Sequence, residues 1–449
     1  MDCTTKLLDS LMQVIKEQIR SDLEQGKPES ISDMERRVQR TLRHIGKLWL
    51  CKWLEQIDGA YPEPQVSCPC GEEAEYVRRR EVVIITLFNR VRFRRAYYLC
   101  PHCHHGQYPL DQRLGYQPGC LTPELSGTAA RIGAEIPFER ARDLLEHLAG
   151  VSLSENSVRD ATQEVGAEVM AQEQEGIVDS QDAEVLLAHD RLPAQEKPDR
   201  LYGSLDGVKV PVDNEWQEMK VGCWHLVEDK HPPDHPPTDP DEQSRATDIT
   251  YYCDILEAKD FGQLLWATGC QRLADQAKEL VFVADGAAWI WKLVQTHFPK
   301  AIQIVDWYHA VEYLAPIAKA LFGEGTPESK SWQDKVRTDL WEGRFERVLS
   351  SFEECLNHAN AGEAARKALR YYTNNQERMR YAEFRERGLR IGSGTVESAC
   401  KQIGTQRLKV AGARWSSEGI RKTGKARAAL LSGQWNSITD RLAGRALAA

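Results

Sequence analysis

The chain has 449 residues, with 67 acidic against 58 basic side chains, a formal net charge of −9 and 41% apolar residues. That length predicts two to four domains of roughly 100–200 residues each, and no apolar run approaches the roughly 20 residues of a membrane-spanning helix, which excludes a helical membrane protein. The net acidity speaks against a chain that binds polyanions over its whole surface. It does not exclude local binding. Seven Arg and one acid lie between Tyr76 and Tyr98, eight Lys or Arg and one acid between Lys401 and Arg427, and 22 acids against eight bases between residues 170 and 260. Two basic patches around an acidic middle point to a polyanion tracked at particular faces; a solvated surface is the alternative for either patch alone.

The N-terminal stretch MDCTTKLLDSLMQVIKEQIR carries charges at helical spacing and no signal-peptide core, which predicts a cytoplasmic protein. Helices are expected over residues 4–25 and 32–57, the second opened by a capping box at Ser32-Asp33-Met34-Glu35. Tyr61-Pro62-Glu63-Pro64 breaks the helical period. Val82 to Tyr98, rich in β-branched and aromatic residues, predicts a β-hairpin with Asn89-Arg90 at the turn. It lies between two cysteine pairs, Cys68-x-Cys70 and Cys100-x-x-Cys103; the other eight of the twelve cysteines are scattered singly, as buried reduced thiols are.

From Thr122 to about Gly176 the pattern is helical. A helix around Phe138–Leu148 ends at Gly150, and Ser154 opens another running to about Glu173; this is either a helix-turn-helix or a plain αα-hairpin. Residues 177–199 read as an acidic linker. Strands are expected at Leu201–Val212, Trp216–Val227 and Thr247–Ile255, with Lys230 to Pro237 as an exposed loop that proline keeps out of a strand. A helix at 258–273, strand Leu280–Ala284, helix 287–297 and strand Ala301–Val305 follow. Three strands, then helix, strand, helix and strand, is the order of an RNase H-like α/β fold. An all-helical stretch reaches about Gly388, and a last long helix begins near Thr395.

Phosphodiester cleavage with two divalent ions needs carboxylates that converge from rigid elements, holding the ions roughly 3.5–4 Å apart. Magnesium takes oxygen ligands and keeps several waters, so two or three carboxylates suffice. Asp206 lies in the first strand of this block, Asp285 just past the fourth, and Glu397 on the final helix. In an RNase H-like sheet those two strands are neighbours. A strand-terminal Asp-Gly pair is also an ordinary turn, and spacing alone leaves both readings standing.

The blocks PLDQRLGYQPGCLTPEL, SLDGVKV, VADGAAWIW, DWYHAVEYL and GSGTVESACKQI…GARW together resemble the transposases of bacterial ISKra-type insertion sequences, which are similar to Mutator-like DDE transposases. The resemblance spans roughly residues 66–430. It implies an RNase H-like core interrupted by an all-helical insertion, and a triad of Asp206, Asp285 and Glu397 holding two magnesium (or manganese) ions. It marks Asp306 and His309 as an auxiliary Asp-x-x-His pair, with a capping Asp and a packed His as the alternative. Members of the family suggest a Cys-x-x-Cys knuckle at both ends of the hairpin, whereas here the first is Cys68-x-Cys70. Zinc on the four sulfurs of Cys68, Cys70, Cys100 and Cys103 is expected, with His102, His104 or His105 as an alternative to one thiolate, or else a metal-free remnant.

The expected division is thus 1–60, N-terminal helices; 61–110, a zinc-ribbon-like hairpin; 111–176, a helix-turn-helix-like DNA-binding region; 177–199, linker; 200–306, RNase H-like core; 307–388, helical insertion; 389–449, the final core helices. The expected activity is metal-dependent cleavage and strand transfer at the ends of an insertion sequence, in a bacterial, nucleoid-associated homo-oligomer on DNA with no membrane partner. Arg92, Arg94, Arg95, Lys401, Arg407, Lys409 and Arg414 are the expected contacts to terminal inverted repeats and target DNA. The rivals are an RNase H-like endonuclease without joining activity and a domesticated DNA-binding regulator. Trp289, Trp291, Trp307 and Trp415 are candidates for base stacking or for ordinary packing.

Overall fold

The computed structural model describes residues 3–24, 27–59, 63–116, 119–229 and 244–448. The expected break at Tyr61-Pro62 and the proline-rich loop at Lys230 to Pro237 lie outside them. The chain is mixed α/β with two sheets and divides into two compact units, residues 1–165 with 435–449, and residues 166–434. No helix among the described residues is long and apolar enough to cross a membrane.

The first unit opens with α1 (Cys3–Glu24) and α2 (Ile31–Asp58). The cap of α2 is Ser30, whose hydroxyl accepts from Asp33 N, so the chain turns helical two residues before the expected Ser32. Then come β1 (Gln65–Ser67), β2 (Glu73–Thr86), β3 (Asn89–Leu99) and β4 (Gly106–Gln107), an antiparallel sheet in that order. The hairpin turn is Leu87-Phe88, not Asn89-Arg90. Thr86 pairs with Asn89, the Thr86 hydroxyl accepts from Phe88 N, and Asn89 takes a left-handed φ of 68°. Val82, Ile84, Val91 and Phe93 form a small core with Leu54 of α2 and Leu110 of α3 (Pro109–Leu114).

Next are α4 (Pro123–Glu135) and α5 (Phe138–Ala149), then α6 (Glu155–Asp179), which runs past the expected end at Glu173. Gly150, at φ 66°, ends α5, and the Ser154 hydroxyl accepts from Ser157 N at the start of α6. The expected linker 177–199 is folded: α6 reaches Asp179, α7 (Ala183–Asp190) follows, and residues 194–196 form a 3-10 turn. Trp266 Nε1 donates to Ser180 O, and Lys197 Nζ to Gln276 Oε1.

The second unit is built on β5 (Arg200–Val212), β6 (Glu215–Asp229), β7 (Ser244–Asp254), β8 (Glu279–Ala284) and β9 (Ile302–Val305) in the spatial order β7-β6-β5-β8-β9. The pairs β5/β6 and β6/β7 are antiparallel; β5/β8 and β8/β9 are parallel. Two helices serve as the crossovers, α8 (Ala258–Gln271) and α9 (Ala288–His297). Helices α10 (Trp307–Glu312), α11 (Leu314–Phe322), α12 (Pro327–Trp341), α13 (Phe345–Glu353), α14 (Gly362–Asn375) and α15 (Tyr381–Glu386) extend the large core around Trp224, Phe282 and Trp307.

The opposite apolar cluster joins Val208, Val210 and Val221 to Val396, Ile403 and Ile420. It is covered by α16 (Gly394–Ala399), a π-helical segment at Cys400–Leu408, and α17 (Ser417–Leu431). The expected single long helix from Thr395 is therefore divided. Gly404 allows the π segment to approach β5, since a Cβ there would lie 2.7 Å from Val208 Cγ2. Buried Lys425 bonds Glu173 (2.5 Å) and Asp254 (3.0 Å), tying α17 to α6 and β7. The last helix, α18 (Trp435–Ala448), belongs to the first compact unit rather than with residues 389–434.

Candidate metal centres and their surroundings

Side chains two apart on a strand share a face, so Asp206 points the same way as Val208 and Val210, toward α16. Gly203 pairs with Phe282 across β5 and β8, and Ala284 with Val305 across β8 and β9. Extending those registers sets Asp206, within β5, in one row with Asp285 and Asp306, which lie just past the C-terminal ends of β8 and β9. The Asp206 Oδ1 accepts from Gly207 N (2.6 Å) and the Asp285 Oδ1 from Ala287 N (2.9 Å).

Asp306 is fully buried. Its Oδ1 accepts from His309 N (2.8 Å), capping α10, and its Oδ2 accepts from Ser393 N (2.5 Å). Trp307 N donates to Ile391 O (3.0 Å), so β9 and α10 are laced to the loop before α16. That loop delivers Glu397, whose Oε1 accepts from the Ser393 hydroxyl (3.1 Å) and lies 3.8 Å from His309 Nε2. Ligand atoms of Asp306, His309 and Glu397 all lie within 4.8 Å of one another, a spacing that suits a metal ion. The tightest grouping thus contains the expected auxiliary pair, with Asp206 and Asp285 beside it in the row.

The electrostatics agree with crowding. Burial, and then the neighbouring Asp206 and Asp306 carboxylates, push the Asp285 pKa up against the opposing Ala287 N–H. Burial and Asp306 do the same to Glu397. Burial disfavours the charged His309 ring, but Asp306, Glu312, Asp285 and Glu397 outweigh it and raise its pKa. Partly buried carboxylates that raise one another's pKa are a set that a divalent cation would relieve. Tyr371 lies against the backbone after Asp285: a Cβ on Gly286 would come 2.1 Å from its ring, so only glycine fits there. Tyr371 stacks on Tyr313 at 4.1 Å.

In the first unit, Cys68, Cys70, Cys100 and Cys103 form a second group with sulfurs within 4.8 Å of one another. Cys68 and Cys103 lie 3.5 Å apart and Cys70 and Cys100 3.7 Å, too far for disulfides, and all four are free thiols. A tetrahedral ion with bonds of about 2.3 Å sets sulfurs roughly 3.8 Å apart. The short Cys-x-Cys knuckle closes through Gly71 N to Cys68 O (2.9 Å) with Gly71 at φ 92°. The second closes through His104 N to Cys100 O (3.0 Å). The Cys103 backbone N–H leads the interactions that hold the Cys100 thiol down at about 7. His102, His104 and His105 are exposed and outside this group, so the grouped candidate ligands are the four sulfurs.

The expected basic contacts divide by burial. Arg92 and Arg94 are exposed on the face of β3 away from α2, and Lys401 and Arg414 are exposed. Lys409 is half-buried near the Trp216 ring. Two expectations are corrected. Arg95 follows Val91 and Phe93 onto the buried face of β3, where it meets Asp111 Oδ1 (2.5 Å) and stacks on Tyr108. Arg407 is buried beneath the Trp415 ring. Neither offers its charge to a phosphate. Trp291 and Trp307 are buried and Trp415 Nε1 donates to Leu408 O, so none of the three is a free stacking platform.

The sequence model of an uncharacterised protein family, UPF0236, matches residues 271–440. That part carries Asp285, Asp306, His309 and Glu397 and leaves out Asp206 and the four cysteines. The family is uncharacterised, so the match brings no activity with it. No curated protein matches the chain.

Proposed function

We propose that this chain is a DDE-type DNA transposase with an RNase H-like core, cutting element ends and joining the freed 3′-hydroxyl to target DNA. The observation that carries the reading is the row formed by Asp206 in β5 and by Asp285 and Asp306 just past the adjacent parallel strands β8 and β9, with Glu397 and His309 brought against it by α16 and α10. The strand order, three antiparallel then two parallel, supports the RNase H-like assignment. The run of helices α10–α15 between β9 and α16 supports reading residues 307–388 as the helical insertion that the ISKra-type resemblance implies.

Asp206, Asp285 and Glu397 would hold magnesium, and the ions, when bound, would activate the attacking oxygen and stabilise the leaving one. Asp306 uses both oxygens to accept backbone N–H groups, which makes it the holder of the Glu397 loop. His309, its pKa raised by four carboxylates against the effect of burial, lies beside Glu397, where a ring N–H could donate to a phosphate oxygen. Zinc suits the four sulfurs of the first unit as a structural ion. DNA ends would be recognised through the exposed arginines of β3 and through α5 and α6.

The test uses labelled insertion-sequence ends with magnesium, scored for nicked and joined products. Asp206→Asn, which keeps shape but loses the charge, should abolish both products while DNA binding persists. Near-wild-type cleavage by that variant would refute the triad. A pre-cut end with a 3′-hydroxyl that is never joined would favour an endonuclease instead.

A further inference from the structure

A cleft of about 420 Å³ opens one residue from Asp285, lined by Gly286, Tyr371, Trp291, Lys292, Asn374 and Arg378 among others. Its size falls in the range of small-ligand sites. No acidic side chain is among the described residues that line it. Lys292 is exposed at its edge. Arg378 is fixed over the Trp291 ring at 4.8 Å by bonds to Gln303 Oε1 (2.8 Å) and Asn375 Oδ1 (3.1 Å). Trp291 is only 4% exposed, and its indole Nε1–H, buried, has no acceptor among the described residues. A lining of two cations and side-chain amides, with no acid, calls for a ligand that is anionic and rich in acceptors.

We propose that this cleft binds a backbone phosphate of the DNA strand next to the one positioned at Asp285, with Lys292 and Arg378 as its donors. This rests on the reading of the chain as a DNA-cutting enzyme and adds the site that sets the strand's direction across the carboxylates. The neighbouring phosphate is the group a strand necessarily presents there. Tyr371 walls the cleft on the side of α14, so the strand enters between α9 and α14.

The experiment measures binding of a fluorescent oligonucleotide to the full chain by anisotropy, with calcium in place of magnesium, over a series of salt concentrations. Lys292→Gln should weaken binding about tenfold at low salt and flatten the log–log salt dependence by about 0.7–0.9, one phosphate contact. Lys292→Arg should restore most of both. A wild-type slope and affinity for Lys292→Gln, whose exposed side chain leaves folding untouched, would overturn the proposal; so would a wild-type chain that binds no DNA. Cleavage measured in parallel separates the two ideas. A chain that cuts DNA normally with Lys292→Gln loses this site and keeps the transposase reading. A chain that cuts nothing but binds through Lys292 loses the transposase reading and keeps the site.

Discussion

Removing the Asp306 carboxylate decides whether that residue is chiefly a clamp or a ligand. It has no exposed surface, and it accepts from His309 N at 2.8 Å and from Ser393 N at 2.5 Å. Asp306→Ala deletes a helix cap, about 1 kcal/mol. It also strands the buried Ser393 N–H, which loses a bond to a charged acceptor at roughly 1.5–3 kcal/mol. Relief of repulsion with Asp285 and Glu397 returns part of this, so the net loss is about 3 kcal/mol. In a unit of this size that lowers the unfolding temperature by roughly 6–12 °C. Asp306→Asn should fall between, because its amide oxygen can still cap α10 while its NH2 group meets the Ser393 donor. Differential scanning calorimetry of the metal-free protein reads the second unit's transition, treated separately from the first because the chain has two units. An Asp306→Ala variant that melts at the wild-type temperature would refute the clamp and free the carboxylate for direct metal ligation.

Cys100→Ser should abolish a stoichiometric zinc measured by elemental analysis and lower the first unit's melting temperature by more than about 10 °C, since structural zinc contributes on the order of 10 kcal/mol; unchanged metal content and melting would remove the zinc assignment. Arg92→Gln and Arg94→Gln should each flatten the salt dependence of DNA binding by about 0.9. Arg95→Gln should leave that slope alone and instead destabilise the first unit by about 3–5 kcal/mol by stranding Asp111; a slope change for Arg95→Gln would contradict its buried position. Asp285 has a folded pKa raised above the ordinary 3.8, so its stability contribution is present below that value and lost as pH rises through the folded pKa. Metal-free Asp285→Asn should therefore melt above wild type at pH 7, with the gap closing as the solution is acidified; equal melting at pH 7 would show that the carboxylates do not crowd.

The strands of the second unit were readable because β-branched runs and intervening helical periods alternate there, and Asp206 and Asp285 fell at strand positions that a register could align. Arg95 was misread because its run of arginines outweighed a simpler signal: in a strand that buries Val91 and Phe93, the next residue on that face is 95. The hairpin turn was misplaced because Asn89-Arg90 carries the turn residue, whereas the structure uses Asn89 as the first paired residue after the turn. The divided C-terminal helix was hidden because a π-helical segment has helical composition and only tertiary contact with β5 reveals its widened turns. Residues 177–199 read as linker from their acidity, yet Ser180 and Lys197 are bound to Trp266 and Gln276, contacts of long sequence separation that local pattern does not carry. The four cysteines were found by spacing; the sulfur geometry then left the histidines outside the group.

The lacing of Asp306 to Ser393 has a consequence for synthesis on the ribosome. All five strands of the large sheet lie before residue 306, whereas Ser393 and Glu397 emerge only after the whole of α10–α15 has been translated. A nascent chain halted anywhere in those helices therefore holds three aspartates in a row with the Ser393-facing oxygen of Asp306 unclaimed and Glu397 absent. Translation thus leaves the acidic centre incomplete until its C-terminal strap arrives, and any premature stop between residues 307 and 392 yields a sheet that lacks the residue closing the centre.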